Sequence, residues 1–199
     1  MPGGFAVALL MGGRSRRMGV DKAMLREPVR GVLAWERQVK LLGDLEPEQC
    51  LLSLREGQDV PENLDSRWEV VRDVAADVGP IGGLEGCLDA CVCPFLLTLG
   101  VDLLAMRAEV LGRLLSECED QCGVVAMSGE GFYEPLAAIY PEEAVASARA
   151  FRESGGRRLQ EWLRELEELG MMRGVRLEDD ERGAFVNVND AEAFAALKE

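Results

Sequence analysis

The stretch LLMGGRSRRMGVDKAML, residues 9–25, sets Gly12, Gly13 and Gly19 among Arg14, Arg16, Arg17 and Lys22. Glycine lets a backbone approach a ligand closely and adopt positive φ. Successive N–H groups in such a turn form a concavity that holds an anion. Guanidinium and ammonium groups around it supply the charge that a polyphosphate requires. An apolar run at 5–11 leads into the glycines and reads as a buried strand. Neither G-x-x-x-x-G-K-[ST] nor G-x-G-x-x-G is present. A nucleotide triphosphate is one guest for this loop; the other outcome is a surface turn with solvated cations.

The chain has 199 residues, a net charge of −14 and 48% hydrophobic residues. Its acidity disfavours nucleic acid as a partner. Residues 1–30 nevertheless hold six cations (Arg14, Arg16, Arg17, Lys22, Arg26, Arg30) against Asp21 and Glu27. A positive island in an acidic chain suits a small anion. No run of eighteen apolar residues occurs, so no membrane partner is expected. The early cations follow the apolar run rather than precede it, which is not a signal-peptide pattern and points to the cytoplasm. Six cysteines are present, without histidine and without C-x-x-C, so the commonest zinc patterns fail. Cys87 and Cys91, like Cys118 and Cys122, are spaced i,i+4 and are expected to share helix faces as small buried residues.

Strand patterns at 5–11, 49–54, 68–71, 94–99, 123–127, 134–140, 175–177 and 184–188 alternate with helical patterns. The helices are expected at 32–42, from the turn marked by Gly79-Pro80 and Gly82-Gly83 to about 91, and at 106–118, 142–152, 157–169 and 190–197. This alternation predicts an α/β fold, three-layered and Rossmann-like, around a mostly parallel sheet in one domain spanning 1–199. Ligands in such sheets bind beyond the carboxyl ends of the strands. Leu159, Trp162, Leu163, Leu166 and Leu169 recur at helical spacing and read as core.

The glycine leader resembles that of the MobA-like nucleotidyltransferases, usually L-A-G-G-x-S-x-R-M-G-x-D-K-x-L-L, with Met11 in place of the usual alanine. Other segments follow in order along essentially the whole chain. VVRDVAADVGPIGGL is similar to the segment with an aspartate before a G-P-L-A-G turn. FLLTLGVDLLAM is similar to the strand that ends in a metal-binding aspartate, usually C-D-x-P, although Leu104 stands where proline is usual. YEPLAAIY, SGGRRLQEWL and FVNVNDAEAF are similar to E-P-L-x-A-L-Y, G-x-R-R/S-L and the closing F-x-N-[IV]-N segment. The double glycine suits the branch that makes the guanine dinucleotide form of the molybdenum cofactor.

The resemblance implies transfer of GMP from GTP to the terminal phosphate of molybdopterin, or a similar phosphorylated acceptor, with release of pyrophosphate. That nucleophile is already an anion, so alignment and charge neutralisation do the work and no histidine base is needed. It implies Lys22, Arg17 and Asp102 as catalytic residues, with Asp102 holding Mg²⁺. It implies Leu10, Met11, Gly12, Gly13, Lys22, Ser53, Asp73, Gly82 and Asp102 around the nucleotide. It implies Arg157, Arg158, Asn187 and Asn189 around molybdopterin, and transient contact with the proteins that deliver it. Asn189 with Glu192 also fits a helix capping box. A cytidylyl or sugar-phosphate nucleotidyltransferase, and a nucleotide-binding relative without turnover, stay open at this point.

Overall fold

The computed structural model describes residues 4–11, 22–26, 31–128 and 131–187, with Lys22 described in its backbone alone. Gly12, Gly13, Arg14, Arg16, Arg17, the Lys22 side chain, Asn189 and the helix expected at 190–197 lie outside the described residues. Seven strands form one sheet: β1 (Phe5–Leu10), β2 (Gln49–Leu54), β3 (Trp68–Arg72), β4 (Phe95–Gly100), β5 (Gly123–Met127), β6 (Tyr133–Pro141) and β7 (Met172–Arg176). Their order is β3-β2-β1-β4-β6-β5-β7. The β1–β2, β2–β3, β1–β4 and β5–β7 pairs are parallel, and β6 runs antiparallel to both β4 and β5. The mostly parallel α/β sheet expected from the sequence is therefore present.

Burial on both faces explains the continuous apolar strands. Along β1, Phe5, Val7 and Leu9 face one core, while Ala6, Ala8 and Leu10 face the other. The first core lies under α1 (Ala34–Gly43) and α3 (Ala108–Ser116), through Trp35, Leu42, Leu111 and Leu114. The second lies under α2 (Pro80–Ala90), α4 (Ala144–Glu153) and α5 (Leu159–Glu168), through Ile81, Leu84, Ala148 and Trp162. Leu159, Trp162, Leu163 and Leu166 are buried as the helical spacing predicts. Leu169 follows the last turn of α5 and is 65% exposed, so it is not part of that core. The Trp162 ring stacks on Tyr140 of β6 at 5.3 Å, and its Nε1 donates to Ser147 Oγ at 3.0 Å. The indole thus buries its area while keeping its donor satisfied.

Further local expectations change: α2 ends at Ala90, which leaves Cys91 in extended backbone beyond the helix that holds Cys87. Residues 184–188 were read as a strand, but Arg182–Phe185 forms a 3₁₀ turn. The Ala184 N–H donates to Glu181 O at 2.8 Å, and the Arg113 guanidinium of α3 grips the Glu181 carboxylate with Nε and Nη2 at 2.6 and 2.5 Å. That grip folds the segment onto α3, and Ala184 and Phe185 then fill the α1/α3 core instead of extending the sheet. The Cys118–Cys122 pair also shares no helix face. The helix ends at Ser116, and Glu119 and Cys122 close a turn through a β-bridge, with Gln121 at φ 58°.

Burial works to raise the Glu181 carboxyl, but hydrogen bonds from Arg113 and from the Glu178 N–H outweigh it and hold the group below the usual glutamate range. The folded carboxyl therefore releases its proton more readily than the unfolded one. The stability this contributes is present above the ordinary glutamate pKa and is lost as pH falls through the lowered folded value. Arg113→Ala is expected to cost about 2–3 kcal/mol at neutral pH, below the range for a fully enclosed pair because the arginine keeps partial exposure. Urea denaturation at pH 7 and at pH 3 checks this: the cost should shrink at the lower pH.

Candidate active site

The parallel strands β1 to β4 all end at one edge of the sheet, where antiparallel β6 begins. Single backbone bonds carry the ladder one residue past the strands. The Met11 N–H donates to Ser53 O at 3.1 Å, Val101 N–H to Leu10 O at 3.2 Å and Asp73 N–H to Leu54 O at 3.0 Å. The first turns of three loops are thereby locked side by side. Leu10 points to the α2 face of the sheet, and the Met11 side chain is buried in the α1 core. At Met11 only backbone groups remain toward the edge, so methionine in place of alanine does not alter what the edge presents.

Ser53 is fully buried, and its Oγ donates to Asp73 Oδ1 at 3.2 Å. Asp73 is half-buried at the end of β3. Burial pushes its carboxyl up, against the opposing pull of the Ser53 hydroxyl and of Arg55 and Arg72. Helix α2 lies over this pair because Gly83 has no side chain: a Cβ there would sit 2.5 Å from Ser53 Oγ and 3.0 Å from Asp73 Oδ1. Gly82 fills another need. A Cβ on it would meet Val78 Cγ2 at 2.6 Å, so it admits the protein's own loop, and its carbonyl accepts from Val74 N–H at 3.3 Å. The loop enters the helix through Gly79, at φ 79°, and Pro80 in the first turn.

Asp102 is half-buried in the turn after β4, closed by Leu103 N–H to Gly100 O at 3.2 Å. A Cβ on Gly100 would lie 3.1 Å from Asp102 Oδ1 and 3.3 Å from Leu136 Cβ. Glycine at this position lets the Asp102 carboxylate and Leu136 close in against the end of β4. By strand alternation Gly100 faces the α2 side with Leu96, which places the Asp102 carboxylate on the same face as Leu10, Ser53 and Asp73. Among the described residues no group of three or more His, Cys, Asp or Glu forms a ready metal cage. A single carboxylate that shares an ion with phosphates and waters is the donor set magnesium accepts.

The 154–158 loop reaches this edge as well: the Arg157 carbonyl lies 3.9 Å from where a Gly79 Cβ would be. The Arg157 guanidinium donates to Gly156 O at 2.8 Å, and Arg158 pairs with Glu161 at 3.1 Å. Asn187 is exposed, beyond the 3₁₀ turn on the α3 side, and no described contact joins it to Asp73 or Asp102. A cavity of about 490 Å³ lies on the opposite face, between Trp35, Met11 and residues 58–63, and of the expected site residues that are described only Met11 lines it. The six cysteines are free. Burial raises Cys91 to about 11 and Cys118 to about 12, so both stay protonated thiols at neutral pH.

The profile of the family described as MobA-like NTP transferase domain matches residues 7–169. The chain belongs to the MobA-like NTP transferase family. It is 36% identical over 190 residues to a probable molybdenum cofactor guanylyltransferase of Opitutus terrae, covering 94% of this chain and 91% of that one. It is 29% identical to the molybdenum cofactor guanylyltransferase of Xanthomonas euvesicatoria, over 95% and 92% of the two chains. Its fold is that of the Archaeoglobus fulgidus molybdopterin-guanine dinucleotide biosynthesis protein A, with a TM-score of 0.72, 24% identity and coverage of 95% and 94%. The Thermus thermophilus 2-C-methyl-D-erythritol 4-phosphate cytidylyltransferase shares the fold at a TM-score of 0.66 and 14% identity, over 96% and 95%. In this MobA-like chain, Gly83, Gly100, Arg37 and Gln38 shape the site edge without having been expected there. One signal was in the sequence: Gln38 interrupts the apolar stripe of α1 between Ala34 and Leu42.

Asp73 holds its proton more tightly in the folded protein than in the unfolded chain. Its ionisation therefore costs stability above the raised folded pKa and costs nothing below the ordinary aspartate range. Asp73→Asn keeps an acceptor for Ser53 and removes the charge. It is expected to raise the thermal midpoint at neutral pH, with the gain vanishing as the solution is acidified. Thermal scans of both proteins from pH 3 to pH 7 measure this.

Proposed function

We propose that this chain is a molybdenum cofactor guanylyltransferase that transfers GMP from GTP to the terminal phosphate of molybdopterin. The observation that carries the proposal is the 36% identity with a chain of that name over nearly the full length of both. A phosphate oxygen of the acceptor forms a bond to the α-phosphorus of GTP. The bond from that phosphorus to the bridging oxygen breaks, and its electron pair leaves with pyrophosphate. The acceptor oxygen is already ionised, so no proton has to be removed and positioning with charge compensation dominates.

The residues divide by position along the edge. Leu10, Met11, Gly12 and Gly13 offer backbone groups to the nucleotide, and Lys22 and Arg17 neutralise the triphosphate. Asp73 meets the guanosine, with Ser53 acting through its hydrogen bond to Asp73 rather than by contact, since its hydroxyl is enclosed. Gly82 acts by letting the 73–79 loop close against α2. Asp102 is the residue to hold Mg²⁺, which when bound draws charge from the phosphate oxygens. Arg157, Arg158, Asn187 and Asn189 are assigned to the acceptor. In this reading residues 1–199 make one domain. No helix of the described residues is long and apolar enough to cross a membrane. The cytoplasm is the proposed setting, with the proteins that deliver molybdopterin as transient partners.

Calorimetric titration with GTP and with CTP in Mg²⁺ tests the proposal, followed by pyrophosphate release once molybdopterin is added. GTP should bind at least tenfold more tightly than CTP. Asp102→Ala and Lys22→Ala should each weaken GTP binding by roughly tenfold, the loss of one charge-assisted contact. Equal or tighter CTP binding would transfer the assignment to a cytidylyl donor. GTP binding without pyrophosphate release would leave a nucleotide-binding relative without turnover, and no triphosphate binding at all would remove the assignment.

A further inference from the structure

Helix α1 places two side-chain donors against the turn that carries Asp102. Gln38 Nε2 donates to Leu103 O at 2.7 Å, and Arg37 Nε donates to Leu104 O at 2.9 Å. These carbonyls belong to the two residues that follow Asp102. The Leu103 and Leu104 side chains are buried in the core shared with α1 and α3, so the turn is anchored by its apolar groups as well as by its carbonyls.

Gln38 is an unusual occupant of its position. It is completely buried one turn from Ala34 and one turn from Leu42, in an otherwise apolar cluster. Its Oε1 has no hydrogen-bond partner among the described residues. Burying an amide with half its capacity unmet costs on the order of 1–3 kcal/mol, and a leucine would fill the same place without that cost. The return visible in the structure is its bond to the Asp102 turn. The backbone of the turn is also closed on itself by Leu103 N–H to Gly100 O and Met106 N–H to Leu103 O, i,i+3 bonds of 3.2 and 3.0 Å.

The N-terminus of α1, one turn before Gln38, is tied to the segment that carries Lys22. The Ala34 N–H donates to Leu25 O at 2.8 Å, and Arg26 and Leu33 form an isolated β-bridge. A helix is a rigid mount, and the four-residue step from Ala34 to Gln38 spans about 6 Å along its axis. It joins the segment after the phosphate loop at one end to the metal-side turn one turn further on.

We infer that Arg37 and Gln38 are positioning residues that fix Asp102 relative to the triphosphate, with α1 as the common mount for the Lys22 segment and the Asp102 turn. The inference rests on the reading of Asp102 as the carboxylate that meets the metal. Neither side chain touches the reacting groups; both act through the backbone of Leu103 and Leu104.

The test uses Gln38→Met, which keeps an unbranched side chain of similar size without a donor, together with Arg37→Met and Arg37→Lys. Three readouts are taken: amide hydrogen exchange of the ligand-free protein, Mn²⁺ affinity by electron paramagnetic resonance with GTP present, and steady-state kcat and KM. Loss of one hydrogen bond of about 1 kcal/mol corresponds to roughly a fivefold effect. Exchange at residues 101–106 should therefore accelerate about fivefold in Gln38→Met while the central strands keep their protection. Mn²⁺ affinity should fall three- to tenfold. The kcat should drop with KM for GTP within twofold, and Arg37→Lys should recover part of what Arg37→Met loses. Unchanged exchange and Mn²⁺ affinity in a folded variant would overturn the inference even if activity fell. So would acceleration spread evenly over every strand, which is what a purely structural role produces. Should Gln38→Met fail to fold, the half-exposed Arg37 position decides by the same criteria. If wild-type protein binds neither GTP nor Mn²⁺, the functional proposal fails, and the exchange measurement still decides whether α1 orders the turn.

Discussion

The structure depends on the parallel pairing of β1 with β2 on one side and β4 on the other. All six residues of β1 are buried and its backbone is hydrogen-bonded along both edges. A central strand of this kind satisfies its polar backbone only through its neighbours, so its register fixes theirs. Parallel direction then brings the carboxyl ends of β1 to β4 to one edge, and the loops leaving those ends become neighbours although they lie far apart in the chain. The bonds from Met11 to Ser53, Val101 to Leu10 and Asp73 to Leu54 extend that constraint into the loops themselves.

Polar groups at this edge are arranged at some cost to the fold. Asp73 is kept half-buried with its carboxyl pushed up by desolvation, and among the described residues its hydrogen-bond partner is a hydroxyl. Gln38 is buried with an acceptor that meets no donor among the described residues. Each would be better replaced by an apolar residue if stability alone counted, and departures of this sort gather where a fold carries chemistry. The buried carboxylates elsewhere are treated differently. Glu85 of α2 is gripped by Arg152 at 2.5 Å and Arg149 at 3.3 Å, and Glu181 by Arg113. Those carboxylates hold elements together; Asp73 is presented at the strand ends.

Glycine at the site edge serves contact rather than flexibility. At Gly83 and Gly100 the missing Cβ lets a carboxylate lie close against the backbone, and at Gly82 it is Val78 of the same chain that does so. The GPIGG segment thus contains two adjacent glycines with separate duties. The first closes the loop after β3, and the second lets α2 settle over Ser53 and Asp73.

Strand positions, the mostly parallel arrangement and the family could be taken from the sequence because they rest on local signals: apolar runs, punctuating glycines and ordered motifs. The 49–54 and 123–127 strands coincide with the observed elements, and the aspartate after β4 lies just past the strand end, as expected. What the tertiary structure alone decided depends on groups distant in sequence. The 184–188 segment reads locally as a strand, yet Arg113, 68 residues before Glu181, draws Arg182–Phe185 into a turn. Leu104 in place of proline reads locally as a looser turn, yet donors 65 and 67 residues earlier hold its backbone. A hydrogen bond across the core leaves no periodic trace in the chain, so only the folded geometry reveals which carbonyl a buried amide serves.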